Sequence, residues 1–265
     1  MLFFKNIFKH QTHQRNVANP IFKCLGTDMH CHLVPNVDDG SKGNEETLIC
    51  LQTMKDAGFN KVICTPHFCY PRFPNIEKDI KILYDNLKQD MDAREELQGL
   101  ELAGCGGEYR IDSGFSQRIK DNRFLLVGGK YLLVELSLHQ QIMGIEEILF
   151  DLQMKNYEII LAHPERYPYF ASRSPHYSRL KDMGIYFQVN ILSLAGFYGD
   201  TPRRKAYEMI EEGWVEFLGT DTHNVIYAQA LSDATRDRKI EKVLATHQFL
   251  NSQITLPDAG TKKKF

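Results

Sequence analysis

Short runs of consecutive apolar residues alternate along this chain with longer stretches in which apolar positions recur every three or four residues. Runs of the first kind, at 61–65, 100–103, 131–135, 158–162, 186–189 and 215–218, predict strands buried on both faces. A further strand precedes them, leading into His30. Stretches of the second kind, at 45–59, 76–97, 146–155, 177–183 and 203–212, predict amphipathic helices, with a short helix at 115–119 and a final helical region over 227–250. Strand and helix in strict alternation predict an α/β fold with a parallel sheet, closed most economically as a TIM-like barrel.

The first strand ends in Thr27-Asp28-Met29-His30-Cys31-His32. Residues i and i+2 of a strand share a face, so the two imidazoles converge while Cys31 points away. At the far end Gly219-Thr220-Asp221-Thr222-His223 repeats the spacing behind another apolar run. In a closed barrel the first and last strands are neighbours, which brings both pairs to one rim. Other chemistry-bearing residues fall at the same ends: Asp39 in the loop after the first strand, His67 after Thr65-Pro66, Glu108 after Gly106-Gly107, then Glu135 and His163. Any one of them alone would read as an ordinary loop or core polar residue; their common placement points to a metal site. Imidazole and carboxylate without thiolate suit Mn, Zn or Fe. A carboxylate such as Glu108 can bridge two ions in the manner of two-metal hydrolysis. Arg166 offers a planar fork that fits phosphate, the alternative being an ion pair with Glu165 or another surface acid. These parts specify metal-assisted hydrolysis of an anionic ester, a phosphoester first.

Composition narrows the field. The 265 residues are 43% hydrophobic and 25% charged, with net charge −2, which gives no basic excess to engage nucleic acid. No apolar stretch approaches a membrane span. The six cysteines form no Cys-x-x-Cys pair and read as buried thiols of a reducing compartment, hence the cytoplasm. Residues 1–24 form a basic arm with Lys5, Lys9 and Arg15, for which at most weak peripheral lipid contact is expected. A single domain spans 25–256, and 257–265 is a tail. No Gly-x-Ser-x-Gly elbow, Walker loop or Cys-x5-Arg motif offers another chemistry.

Taken with Val37-Asp38-Asp39-Gly40, Gly107-Glu108-Tyr109 and His163-Pro164-Glu165-Arg166-Tyr167, these motifs resemble the polymerase-and-histidinol-phosphatase (PHP) superfamily. Within it, they resemble the manganese-dependent protein tyrosine phosphatases of bacterial capsular and exopolysaccharide operons. The resemblance implies a distorted (β/α)7 barrel of the PHP type holding three divalent ions, manganese first and zinc or iron as alternatives. His30, His32, Glu108 and Asp221 would surround one ion. Glu108, Glu135 and His163 would hold the second, and Asp39, His67 and His223 the third. Arg166, Asp221 and His223 would be catalytic, with metal-activated hydroxide attacking the phosphoester. The implied substrate and partner is the phosphotyrosine-bearing tail of a membrane-bound bacterial tyrosine kinase. The alternatives are a small-molecule phosphatase of the histidinol-phosphate type and a metal-stabilised, kinase-binding scaffold with little turnover. One departure stands out: relatives carry an arginine soon after the Asp-x-His, whereas 224–229 here has none, leaving Arg203, Arg204 or Tyr70 to compensate.

Overall fold

The computed structural model describes residues 20–255 except 172; the stretches 1–19 and 256–265, with most of the basic arm and the tail, lie outside the described residues. All strand pairings between named strands are parallel. Strands β1 (Thr27–Asp28), β2 (Lys61–Cys64) and β4 (Glu101–Cys105) form one sheet; β3 (His67–Phe68), β5 (Glu108–Arg110), β6 (Tyr131–Glu135), β7 (Glu158–Ala162), β8 (Tyr186–Asn190) and β9 (Val215–Gly219) form the other. Two strand positions resume beyond the ends that the apolar runs predict, each after a break. Pro66, which has no N–H to give a ladder, separates β2 from β3, and Gly106-Gly107 separates β4 from β5. Across each break the chain keeps its course: Gly106 N–H donates to Cys64 O at 2.8 Å and Glu108 N–H to Pro66 O at 3.0 Å. Counting β2/β3 and β4/β5 as one strand position each leaves seven positions, the distorted (β/α)7 barrel.

The barrel closes between β9 and the segment after β1. Asp221 N–H donates to His30 O and His32 N–H to Thr222 O, at 2.8 and 2.9 Å. Deeper in the seam, buried Asp28 accepts from the Thr220 N–H at 2.8 Å and the Thr220 hydroxyl at 3.0 Å. At the opposite end of the barrel Asn251 clasps both strands: its Nδ2 donates to Thr27 O and Leu218 O, and its Oδ1 accepts from Leu218 N–H.

The interior is filled by Met29, Ile63, Ala103, Leu133, Ile160 and Phe217, with Ile254 plugging the end where Asn251 sits. Outward-facing strand residues pack against the helices α1 (Asn44–Ala57), α2 (Glu77–Asp92), α3 (Phe115–Asp121), α4 (Ile145–Met154), α5 (Pro175–Asp182), α6 (Ile191–Leu194), α7 (Asp200–Glu211), α8 (Val225–Ala234) and α9 (Arg238–Thr246). The expected final helical region is two helices, α8 and α9. The chain breaks at 235–237, where the Asp237 carboxylate accepts the Lys239 N–H and starts α9. The stretch assigned to the arm ends in a packed turn, Ile21–Cys24, with Phe22 buried and stacked on Phe59 at 5.5 Å. Among the cysteines expected to be buried, Cys24 is exposed. No helix among the described residues is long and apolar enough to cross a membrane.

Candidate metal centre

The strand ends and the loops leaving them bring every expected site residue to one rim. His30 and His32 project from the extended segment after β1, with Cys31 turned into the core between them. His67 opens β3 and lies in register with Glu108, which opens β5; Glu135 ends β6. His163 follows β7, Asp221 and His223 follow β9, and Asp39 enters from the loop beyond His32. Asp39, His67, Glu135, His163, Asp221 and His223, with Arg72, Arg110, Arg166 and Tyr227, line a cleft of about 210 Å³, while His30, His32 and Glu108 are fully buried.

A chain of hydrogen bonds settles how the first pair presents itself. The Asp221 carboxylate only accepts, so Asn190 turns its amide nitrogen to Asp221 Oδ2 at 2.7 Å. Asn190 Oδ1 then accepts from Gln188 Nε2 at 2.8 Å, which leaves Gln188 Oε1 to accept from His30 Nδ1 at 2.7 Å. His30 Nε2 therefore carries a lone pair. His32 Nδ1 donates to Asp38 Oδ2 at 2.8 Å, and its Nε2 is a lone pair too. These two nitrogens stand 3.3 Å apart and face Glu108 and Asp221 oxygens at 3.4–3.5 Å. His223 donates Nδ1–H to Asp221 O at 2.8 Å, and its Nε2 looks toward Asp39 Oδ1 at 3.7 Å. His163 Nε2 approaches Glu108 Oε1 at 2.9 Å and Glu135 Oε2 at 3.9 Å. His67 lies between Glu108, Glu135 and Asp39: Nδ1 is 2.9 and 3.3 Å from the first two, and Nε2 is 3.4 Å from the third. Asp39 Oδ1, Glu108 Oε2 and His67 Nδ1 are buried without a hydrogen bond, the close His67–Glu108 approach being out of line.

Buried lone pairs converging without donors cost free energy unless a cation satisfies them. The described His, Asp and Glu side chains form trios with ligand atoms within 4.8 Å of one another: His30, His32 and Asp221; His30, Glu108 and His163; His67, Glu108 and Glu135; and His32, His67 and His223. This donor set fits divalent ions of the borderline class. Without ions, protons take their place. Burial opposes charge on His67, yet the carboxylates of Glu108 and Glu135 push it up to about 10. His30 and His32 are raised in the same way, against burial, chiefly by Glu108 and by Asp38 respectively. Burial favours protonated Glu108 and Asp221, but imidazolium neighbours outweigh it and hold both carboxyls well below their usual range. His223 is lowered to about 4 by burial and by His32.

Arg166 ends a short turn, Pro164–Arg166, and gives Nη1 to Asp221 Oδ2 at 2.9 Å, with its guanidinium carbon 4.3 Å over the Tyr198 ring. Of the acids expected as alternative partners, Glu165 instead accepts from Ser193 Oγ and Asn190 N, and the acid that Arg166 does meet, Asp221, is buried in the centre rather than on the surface. Arg203 and Arg204 do not compensate for the missing arginine. They pair with Asp237 and Glu208 and line a separate groove between α7 and α9. Tyr70 is 58% exposed and lies outside the residues lining the cleft. Asp38, Gln188, Asn190, Tyr198, Arg72 and Arg110 escape sequence reasoning as site residues, because a polar side chain at a strand end or in a loop carries no spacing signal. Backbone geometry marks two expected residues independently. His163 (φ 34°) and Asp221 (φ 53°) adopt left-handed conformations that side-chain-bearing residues avoid.

Comparison with known proteins finds relatives of the whole barrel. The Staphylococcus aureus protein CapC is 26% identical over 253 residues, covering 90% of this chain and 98% of its own. Tyrosine-protein phosphatase YwqE of Bacillus subtilis is 27% identical over 199 residues, covering 75% and 77%. Tyrosine-protein phosphatase CpsB of Streptococcus pneumoniae is 27% identical over 205 residues, covering 75% and 83%. Among solved structures, one from crystallographic work on YwqE and CpsB, described as metal-dependent tyrosine phosphatases, superposes with TM-score 0.70 at 23% identity. It covers 86% of this chain and 95% of that one. A phosphotriesterase homology protein of Escherichia coli shares the fold more distantly, with TM-score 0.51 at 14% identity over 87% of this chain and 95% of its own. The model of the family described as "Capsular polysaccharide synthesis, CpsB/CapC" matches residues 26–248, and the chain belongs to that family.

Proposed function

We propose that this protein is a metal-dependent protein tyrosine phosphatase acting in capsule or exopolysaccharide synthesis. The observation that carries the reading is the convergence of His30 and His32 lone pairs, 3.3 Å apart, on the Glu108 and Asp221 carboxylates in a buried rim beside an arginine. Three ions are proposed: His30, His32, Glu108 and Asp221 at the first, Glu108, Glu135 and His163 at the second, and Asp39, His67 and His223 at the third. Manganese is the proposed occupant. Divalent ions held there supply Lewis acidity, which makes water nucleophilic near neutral pH and offsets phosphoryl charge.

The chain's own residues do the rest. Arg166 binds a phosphoryl oxygen through the donors it does not spend on Asp221, and stacking on Tyr198 keeps its plane fixed. Asp221 and His223 hold the nucleophile side of the centre in place, tied to each other through the His223 Nδ1–H bond to Asp221 O. A tyrosine leaving group has a pKa of about 10, low enough that departure as phenolate needs little help from a general acid. The proposed substrate is the phosphorylated tail of a membrane-bound tyrosine kinase, met in the cytoplasm by one barrel domain spanning 25–256.

The test is turnover of a phosphotyrosine peptide beside histidinol phosphate, using chelator-stripped protein with Mn²⁺ or Zn²⁺ restored. Metal-restored hydrolysis of the peptide is expected. Preference for histidinol phosphate would move the protein to metabolite chemistry, and binding of the peptide without turnover would make it a scaffold.

A further inference from the structure

Three arginines line the cleft, and the reaction described above uses one of them. Arg110 places Nε and Nη2 on Glu135 Oε1 at 3.0 and 2.9 Å and is spent on holding that carboxylate. Arg166 is 20% exposed and shares one nitrogen with Asp221. Arg72 differs from both. Its side chain is 62% exposed, yet the structure fixes where it stands. Cys69 and Phe73 exchange backbone hydrogen bonds of 2.9 and 2.5 Å, closing a tight turn with Tyr70, Pro71 and Arg72 at its tip. One flank is anchored where Tyr70 N–H donates to Asp112 Oδ2 at 2.6 Å. At the exit, Asn75 Nδ2 donates to His67 O and Val37 O, at 2.7 and 3.0 Å. The Phe73 ring lies parallel to the His67 ring at 5.7 Å, and the Arg72 guanidinium carbon sits 4.8 Å over Phe73. A stack of imidazole, phenyl and guanidinium thus rises from the metal centre to the cleft mouth, where Arg72 Nη2 reaches Asp39 Oδ2 at 3.2 Å.

We propose that Arg72 contacts the substrate, supplying the second guanidinium for the phosphoryl group from the wall of the cleft formed by the 69–73 turn. The inference rests on the phosphatase reading. A phosphomonoester brings three terminal oxygens and close to two negative charges, and a guanidinium on a second wall adds to what the ions and Arg166 offer it. The wall formed by 224–229 contains no arginine: Asn224 lines the cleft but spends its Oδ1 on the Ile226 N–H at the start of α8, and the surface beyond it is largely apolar and aromatic. Tyr227 lies 5.0 Å from the His223 ring, Phe197 packs on Tyr227 at 4.9 Å, and Ile226 is 66% exposed. That surface suits a phenyl ring rather than a phosphate. The cleft of about 210 Å³ is narrow enough for a phosphate inside it to meet residues of more than one wall. Arg72 gives Nη2 to Asp39 and keeps most of its five N–H donors for such a ligand.

The rival role is that Arg72 only positions Asp39. Full-length, metal-loaded Arg72→Ala and Arg72→Lys separate the two. The measurements are bound metal, the affinity for inorganic phosphate by calorimetry, and the KM and kcat for a phosphotyrosine peptide. Substrate contact predicts unchanged metal content, phosphate binding weakened about 10- to 100-fold in Arg72→Ala, a matching rise in KM, and partial recovery in Arg72→Lys. Undiminished phosphate affinity in Arg72→Ala overturns the proposal, as does loss of metal that accounts for the whole defect. If the parent protein binds phosphate but leaves phosphotyrosine intact, the phosphatase reading fails while the calorimetry still decides whether Arg72 holds phosphate.

Discussion

At the scale of single residues, what makes this rim a centre is the set of groups that fix its imidazoles. Gln188 and Asp38 occupy the Nδ1 atoms of His30 and His32 and turn both Nε2 lone pairs inward. Gln188→Leu and Asp38→Asn should each weaken metal binding by roughly 10- to 100-fold, read by titration with a metal indicator, while the barrel still folds. Unchanged affinity would mean that the ring orientations are set by packing alone. His30→Ala and Asp221→Ala remove proposed ligands outright and should abolish hydrolysis; near-normal turnover without bound metal would sink the mechanism. Arg166→Ala should raise KM with metal content unchanged, and loss of metal would instead make Arg166 structural through its pair with Asp221. The sequence disclosed the inner residues because His and carboxylate at strand ends are conspicuous. Gln188 and Asn190 read there as ordinary polar strand residues, since the bonds that give them roles cross between strands. The left-handed backbone of His163 and Asp221 was equally hidden, because Asp and His enter that region more readily than most residues yet too seldom for the sequence to signal it.

At the scale of elements, the strand-helix alternation was legible because apolar runs and helical spacing differ in period. β6 and β7 fall at 131–135 and 158–162, as the pattern has them. Boundaries failed where a strand resumes beyond a breaker that ends an apolar run, and where a breaker falls within a helical region. Pro66 and Gly106-Gly107 divide two strands, and Asp237 divides one helical region. Such a break also gives His67 and Glu108 short strands of their own, paired to each other at the rim. Glycine at the end of β9 has a steric cause. A Cβ on Gly219 would stand 2.8 Å from His30 Cβ and 2.8 Å from Gln188 Nε2, too close for either to stay. Gly219→Ala should therefore disturb the His30–Gln188 bond and lower metal affinity and activity together. A variant with unaltered metal affinity would show that the strand can yield without moving His30.

At the scale of the whole molecule, the rim couples stability to pH and to metal. Without ions, Glu108 and Asp221 have depressed pKa values, so their contribution is present above the ordinary carboxylate range, near 4, and is lost as pH falls. His30, His32 and His67 have raised values, so their contribution is full below 6.5 and is lost as pH rises toward about 10, the value for His67. Chelator-stripped protein should thus show its highest Tm between about pH 4.5 and 6.5 and decline above that. Added Mn²⁺ should raise Tm most on the alkaline side, where imidazoles bind metal without displacing protons. A Tm of stripped protein that climbs steadily from pH 6 to 9 would contradict the imidazolium-carboxylate lattice. The seam makes a separate contribution. Asn251→Ala leaves the Leu218 N–H and two carbonyls unpaired in a buried setting and should cost about 2 kcal/mol or more, read by denaturant unfolding.

The same seam imposes an order in time. His30 and His32 belong to the first strand position, Asp221 and His223 to the last, and Asn251 fastens the two from still later in the chain. At translation rates of about 5–20 residues per second, roughly 10–40 s separate synthesis of the first pair from that of the second. A ribosome-bound fragment therefore carries two histidines but no centre. Catalytic competence waits for synthesis to pass Asp221 and His223, so products of translation interrupted before them should neither bind the full metal set nor hydrolyse a phosphoester.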